Sequence, residues 1–296
     1  MCFRIVIFVL FSISASMAQE PQEYLDFILP LIKEAGKELL TADNYQVEHK
    51  KEVYDLVTIY DRRIEDILIN KIKKKYPNHK FIGEEESEIN GISNLTDTPT
   101  WIIDPIDGTS NFVRQIPFAA ISVGLVINKE QTMGVVYNPF LNECFTAIKG
   151  EGAYLNGNKI KTNGQTDINK TCFTYELSLA RNEKYGDMYM YRLKHLTRVI
   201  PGIRSYGSAT ISLCYVAAGR IDAYQCDGLY PWDAAAGVLI VREAGGYVCD
   251  SNGGEFNLMD PNYLATSTKK LSDEIMAIER IADEERIRDA KAKTEG

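Results

Sequence analysis

Asp104 and Asp107 stand three residues apart in the stretch 101–112, read WIIDPIDGTSNF, and both side chains can face one small volume. Trp101, Ile102 and Ile103 form an apolar run of the kind that fills a strand buried on both faces, and Pro105 is expected to stop its pairing. Gly108 lets a ligand approach the backbone, while Thr109, Ser110 and Asn111 are good residues for opening a helix, whose free N–H groups attract an anion. Carboxylates and an anion site within six residues require a positive charge between them. A hard divalent ion such as magnesium meets that need, taking carboxylates on one side and phosphate oxygens on the other. The plain alternative is a turn with an Asx cap. Two further acidic positions favour the metal. Glu84, Glu85 and Glu86 follow the short strand 81–82 and Gly83; such a run is ordinarily a solvated loop, but its place at a strand end makes one of them a ligand candidate. Asp233, after Pro231 and Trp232, reads either as a helix cap or as a further ligand.

The elements that must position these groups follow from apolar spacing. Leu25, Ile28, Leu29, Ile32, Ala35 and Leu39 recur at helical intervals, with Pro30 bending that helix or marking a later start. Asp61 opens a second helix with Ile64, Ile67, Leu68 and Ile72 as its apolar face. Segments 121–127, 133–137 and 144–148 read as antiparallel strands, with turns at Asn128-Lys129 and Asn138-Pro139, and Asn156-Gly157 is a hairpin signal. Further strands are expected at 172–177, from 202 and at 221–224, and helices at 185–199, from Gly207-Ser208-Ala209, at 234–244 and from Ser272, the last fraying from Asp283.

At 296 residues and 45% hydrophobic the chain can bury a large core. A formal net charge of -8, with no clustered basic stripe, excludes nucleic-acid polymers as partners. Residues 1–18 read as a cleaved signal peptide: Arg4, a continuous apolar run at 5–11, then Ser16-Met17-Ala18. That run is too short to span a bilayer, so the mature chain, 19–296, is expected to lack a membrane span. With a working leader the protein is secreted or enters the secretory pathway, where the sequons at Asn94 and Asn169 become available; without one it is cytoplasmic. Without Cys2, the cysteines 144, 172, 214, 226 and 249 are odd in number and lack metal-ligand spacing. They read as isolated thiols. His49, His79 and His195 sit in no catalytic motif.

Taken together, Asp55-Leu56-Val57-Thr58 with Asp61, Gly83-Glu84-Glu85, the stretch 101–112, Gly202-Ile203-Arg204-Ser205 with Gly207, and Trp232-Asp233 with Glu243-Ala244-Gly245-Gly246 resemble the inositol monophosphatase family of magnesium-dependent, lithium-sensitive phosphatases. The resemblance covers nearly all of 19–296 as one catalytic domain. It implies an α/β fold, an αβαβα layered sandwich of the inositol monophosphatase/fructose-1,6-bisphosphatase type, usually a homodimer, that hydrolyses a phosphate monoester. By position, two to three magnesium ions are implied. Glu84, Asp104 and the Ile106 carbonyl would hold one, Asp104, Asp107 and Asp233 a second, with Asp61 near a third. Thr109 and Glu84 would orient a metal-activated water, Asp107, Gly108 and Thr109 would meet the phosphate, and Lys50 would face it. Gly207, Ser208 and Ala209 retain the substrate-loop pattern. Cys226 stands where inositol-specific members carry a glutamate that binds sugar hydroxyls, so either Asp227 takes over or the polyol preference has changed. myo-Inositol 1-phosphate is the first expectation for the substrate. An adenosine 3′,5′-bisphosphate nucleotidase is the alternative, and a non-catalytic secreted metal binder a more distant one.

Overall fold

A computed structural model describes residues 20–42, 47–49 and 56–295; the expected leader, Lys50 and Asp55 fall outside the described residues. Helix α1 (Glu20–Leu40) buries Leu25, Ile28, Ile32, Ala35 and Leu39, and Pro30 lies within it rather than at its start. A short antiparallel ribbon, β1 (Val47–His49) and β2 (Leu56–Thr58), leads into α2 (Ile59–Lys75).

The apolar stripes of α1 and α2 cover one face of a seven-stranded sheet whose spatial order is also its chain order. Its strands are β3 (Lys80–Gly83), β4 (Thr100–Asp107), β5 (Ala120–Ile127), β6 (Glu130–Asn138), β7 (Glu143–Ile148), β8 (Gly152–Leu155) and β9 (Asn158–Ile160). β3 and β4 are parallel; each later pair is antiparallel. The expected turns at Asn128-Lys129 and Asn156-Gly157 join β5 to β6 and β8 to β9, with the positive φ that such hairpins need. Two expectations are corrected. β4 continues past Pro105 to Asp107, with its register to β5 interrupted between Asp104 and Asp107. The acidic run is no loop: Glu84 is the first residue of a helix, α3 (Glu84–Asn90). A second short helix, α4 (Thr109–Val113), follows β4.

The second sheet holds five strands in the order β11 (Gly202–Arg204), β10 (Cys172–Tyr175), β12 (Ala223–Cys226), β14 (Tyr263–Thr266), β13 (Tyr247–Asp250). On its outer face pack α5 (Gly186–Leu196) and α8 (Lys269–Glu295). Between the sheets lie α6 (Ala209–Ala217) and α7 (Pro231–Glu243), buried on both sides. The result is five layers, α/β/α/β/α, as the resemblance implies. Burial of the larger sheet on both faces explains its continuously apolar strands: Ile121, Val123 and Leu125 face α1 and α2, while Gly124 meets Ala235 of α7.

Candidate active site

The parallel pairing of β3 and β4 brings two acidic groups together. Gly83 is in register with Ile103, so the next residues, Glu84 and Asp104, emerge side by side at the strand ends. The Glu84 carboxyl faces that of Asp104 closely enough to raise it. The register break that follows Asp104 lets its Oδ1 accept the Ile106 N–H at 3.0 Å and turns Asp107 back towards the interior. Asp233 arrives from the first turn of α7, where its Oδ2 accepts the Tyr230 N–H at 2.8 Å. Asp104, Asp107 and Asp233 each place one oxygen within 4.8 Å of the others.

Asp104 is 2% exposed, and burial is the first cause that raises its carboxyl well above the usual range. The charges of Glu84, Asp107 and Asp233 raise it further. A set of hard oxygens whose mutual repulsion must be neutralised fits magnesium and offers no soft ligand for a thiophilic metal. Asp107 is also buried and raised, but four donors oppose the shift. These are Ser208 Oγ (2.6 Å), Ala209 N (3.1 Å), Thr210 N (2.7 Å) and Thr210 Oγ1. Asp107 therefore bonds the larger sheet to the start of α6.

Asp61 sits in the first turn of α2, its Oδ2 accepting both the N–H and the hydroxyl of Thr58 (2.7 and 2.6 Å), a capping box closed from the N-cap residue. Its Oδ1 lies 3.2 Å from Thr109 Oγ1, which is also 3.0 Å from the Ile106 carbonyl. Thr109 opens α4 directly after Gly108, whose φ of 90° and whose lack of a Cβ (one would stand 2.7 Å from the Phe118 carbonyl) make glycine the residue for that corner.

Of the remaining expected site residues, Ser208 and Ala209 are committed to Asp107, and the Gly207 N–H to Glu176 (3.1 Å). Cys226 is buried at the end of β12, and burial pushes its thiol well up. Asp227, 2% exposed, turns inward onto Ser251. Lys50 lies outside the described residues. Two residues given no site role in the sequence reading tie this region together. Asn111 donates to the carbonyls of Phe118 (2.9 Å) and Tyr206 (2.7 Å), and Glu65 accepts two N–H groups from α3. A carboxylate between Ile64 and Leu68 on an apolar stripe was the available signal for Glu65.

The model of the inositol monophosphatase family matches residues 20–284. Inositol monophosphatase 1 of Homo sapiens is 42% identical over 262 residues, 88% of this chain and 95% of that protein. Among solved structures, an IMPase of Thermotoga maritima superposes with a TM-score of 0.78 at 34% identity, covering 89% of this chain and 99% of that one. The staphylococcal IMPase-II, solved with inositol monophosphate and again with 2′AMP bound, gives TM-scores of 0.75 and 0.74 at 28% identity, over 92% and 91% of this chain and 99% of that one.

Proposed function

The chain belongs to the inositol monophosphatase family and is a phosphoric monoester hydrolase; from that premise we propose that it hydrolyses myo-inositol 1-phosphate with magnesium held by the acidic cluster. The observation that carries this reading is the convergence of Asp104, Asp107 and Asp233 within 4.8 Å from segments more than a hundred residues apart. Glu84, Asp104 and the Ile106 carbonyl would hold one ion and Asp104, Asp107 and Asp233 a second, with Asp61 beside a third, weaker position. A bound magnesium supplies charge neutralisation and makes a water proton easier to remove.

The protein's own groups do the rest. Thr109 has one hydroxyl proton and two acceptors in reach, Asp61 and the Ile106 carbonyl. With that proton given to Asp61, its oxygen lone pairs orient the attacking water, and Glu84 receives the water's proton. The N–H groups of Gly108 and Thr109 hold phosphate oxygens in line with the attack. Barriers to monoester hydrolysis are so high that something on the order of 20 kcal/mol must be removed, which positioned charge is suited to supply. Replacing Asp104 by Asn is expected to abolish phosphate release from inositol 1-phosphate at saturating magnesium. Near-normal release by that variant overturns the assignment.

A second substrate reading, a nucleotide, is favoured by one observation. Cys226 is buried and Asp227 points away, so neither offers a sugar-hydroxyl acceptor at the end of β12. The staphylococcal relative solved with both inositol monophosphate and 2′AMP supports a pocket tolerant of either. Turnover of inositol 1-phosphate against 2′-AMP and adenosine 3′,5′-bisphosphate separates the two. We extend the proposal to a lithium-inhibited homodimer, checked by light scattering and by lithium titration of the activity. No described helix is long and apolar enough to cross a membrane. The leader is tested by mass spectrometry of the native N-terminus, where an intact, unglycosylated start overturns export.

A further inference from the structure

Glu65 is a carboxylate that no step above uses, although it is only 4% exposed. It stands one turn after Asp61 on the buried stripe of α2, and it points at the junction of β3 and α3. Its Oε2 accepts the Glu85 N–H at 3.0 Å and its Oε1 the Glu86 N–H at 2.9 Å, one donor to each oxygen. These N–H groups belong to the second and third residues of α3. Groups at that position have no partner within their own helix, and an N-cap side chain normally accepts from them.

Here the N-cap is Gly83, which has no side chain to do so. Its φ of -99° and ψ of 153° are extended values open to any residue, so backbone conformation does not call for glycine. Space does. A Cβ at Gly83 would stand 2.5 Å from Glu65 Cδ and 2.6 and 2.7 Å from its two oxygens. The carboxylate of Glu65 occupies the place of the missing N-cap side chain, so the cap of α3 is supplied across eighteen residues of chain.

Glu84 is the first residue of the helix capped in this way. The direction in which its side chain leaves the backbone depends on how the first turn of α3 is seated on β3, and the two bonds from Glu65 fix that seat. We propose that Glu65 is a positioning residue for the metal centre: it sets the first turn of α3 so that the Glu84 carboxyl meets Asp104, and so tunes divalent-cation affinity without touching the ion. The inference rests on the metal-dependent reading above. Residues that orient metal ligands in this indirect way typically contribute roughly ten- to hundredfold in affinity.

Binding is measured calorimetrically by titrating magnesium into the full chain without substrate, for the wild type, Glu65→Gln, Gly83→Ala and the double variant. Thermal unfolding in chelator is recorded in parallel. Glu65→Gln keeps the volume but turns one acceptor oxygen into an NH2 that opposes a backbone N–H. Gly83→Ala leaves the charge in place and drives the carboxylate off its seat. Each single variant is expected to weaken magnesium binding at least tenfold in the folded protein, and the double variant by no more than the worse single one, because both break the same cap. A cap that serves stability alone would lower the unfolding temperature and leave the affinity of the folded protein within twofold of wild type; that result overturns the proposal, as does full additivity of the two substitutions. Gly83→Ala decides the question by itself if Glu65→Gln is too unstable to titrate. A wild-type chain that binds no magnesium overturns the metal-dependent reading instead, a failure distinct from normal wild-type binding with unimpaired variants.

Discussion

Asp104 and Asp107 are both buried, yet their surroundings separate them. Asp107 accepts four hydrogen bonds from Ser208, Ala209 and Thr210, whereas Asp104 has the Ile106 N–H and three negative neighbours. Asp107 is thus the structural half of the pair, and its partners are expected to register in stability. Thr210, wholly buried, gives Asp107 both its N–H and its hydroxyl. Thr210→Val keeps the shape and removes one donor from a buried carboxylate, which should cost about 1–3 kcal/mol. The urea midpoint measures it, and an unchanged midpoint would mean that the hydroxyl bond contributes nothing. Glu84, Asp104, Asp107, Thr109 and Asp233 were legible in the sequence because they sit at element ends, next to glycine and proline punctuation. Whether Asp227 takes over as hydroxyl acceptor from the glutamate that Cys226 replaces was not. It depends on which way Asp227 turns, and that is decided by Ser251, twenty-four residues further on.

Helix α7 carries Asp233 to the cluster, and its small residues allow it to lie close on the larger sheet. Gly124 and Gly134 face Ala235 and Ala236; a Cβ at Gly134 would stand 2.8 Å from the Ala236 carbonyl oxygen and 2.9 Å from its Cα. Those are backbone atoms and cannot rotate away. Gly134→Ala is therefore expected to destabilise the protein by about 1–3 kcal/mol through displacement of α7. Gly254→Ala, exposed and with its nearest neighbour at 3.8 Å, should stay within about 0.5 kcal/mol. Comparable losses for the two in chemical denaturation would contradict the packing argument. The same scale shows which elements could be read from local pattern. The strands of the antiparallel meander and their hairpin turns were legible because period, turn residues and burial agree. Helix α3 was not, because the acceptor that satisfies its first turn lies in α2. The end of α8 was not either. The charged stretch from Asp283, expected to fray, stays helical to Glu295. α5 holds it through Arg192 to Asp283 (2.7 Å), Lys194 and His195 to Glu285 (2.5 and 2.6 Å) and Tyr191 to Asp289 (2.8 Å).

Across the whole molecule the acidic cluster sits where the larger sheet meets the layer of α6 and α7, so its geometry depends on all five layers staying in register. The outermost contact of that stack is unusual in its charge balance. Arg192 of α5, 1% exposed, faces Glu279 (3.3 Å) and Asp283 (2.7 Å) of α8, with Asp227 close by and the Gln225 amide between Glu279 and the guanidinium. Arg192 thus serves three carboxylates, with Arg286 beside Asp283 at 3.7 Å. Burial, together with the charges of Asp227 and Asp283, outweighs the attraction of Arg192 and pushes the Glu279 carboxyl up to about 8 from an ordinary 4.5. The sign follows from proton counting. Between pH 4.5 and about 8 the folded protein holds a proton on Glu279 that the unfolded chain has lost, so the contribution of this group is complete below pH 4.5 and disappears as the pH rises through about 8. Arg192→Met removes the cation and leaves the carboxylates facing one another, a loss of about 3–5 kcal/mol when they are charged. The deficit relative to wild type should be larger at pH 9 than at pH 5, where Glu279 is neutral in both proteins. Urea denaturation of the two at both pH values tests this, and an equal deficit at each would show that Arg192 acts by packing and not by balancing buried charge.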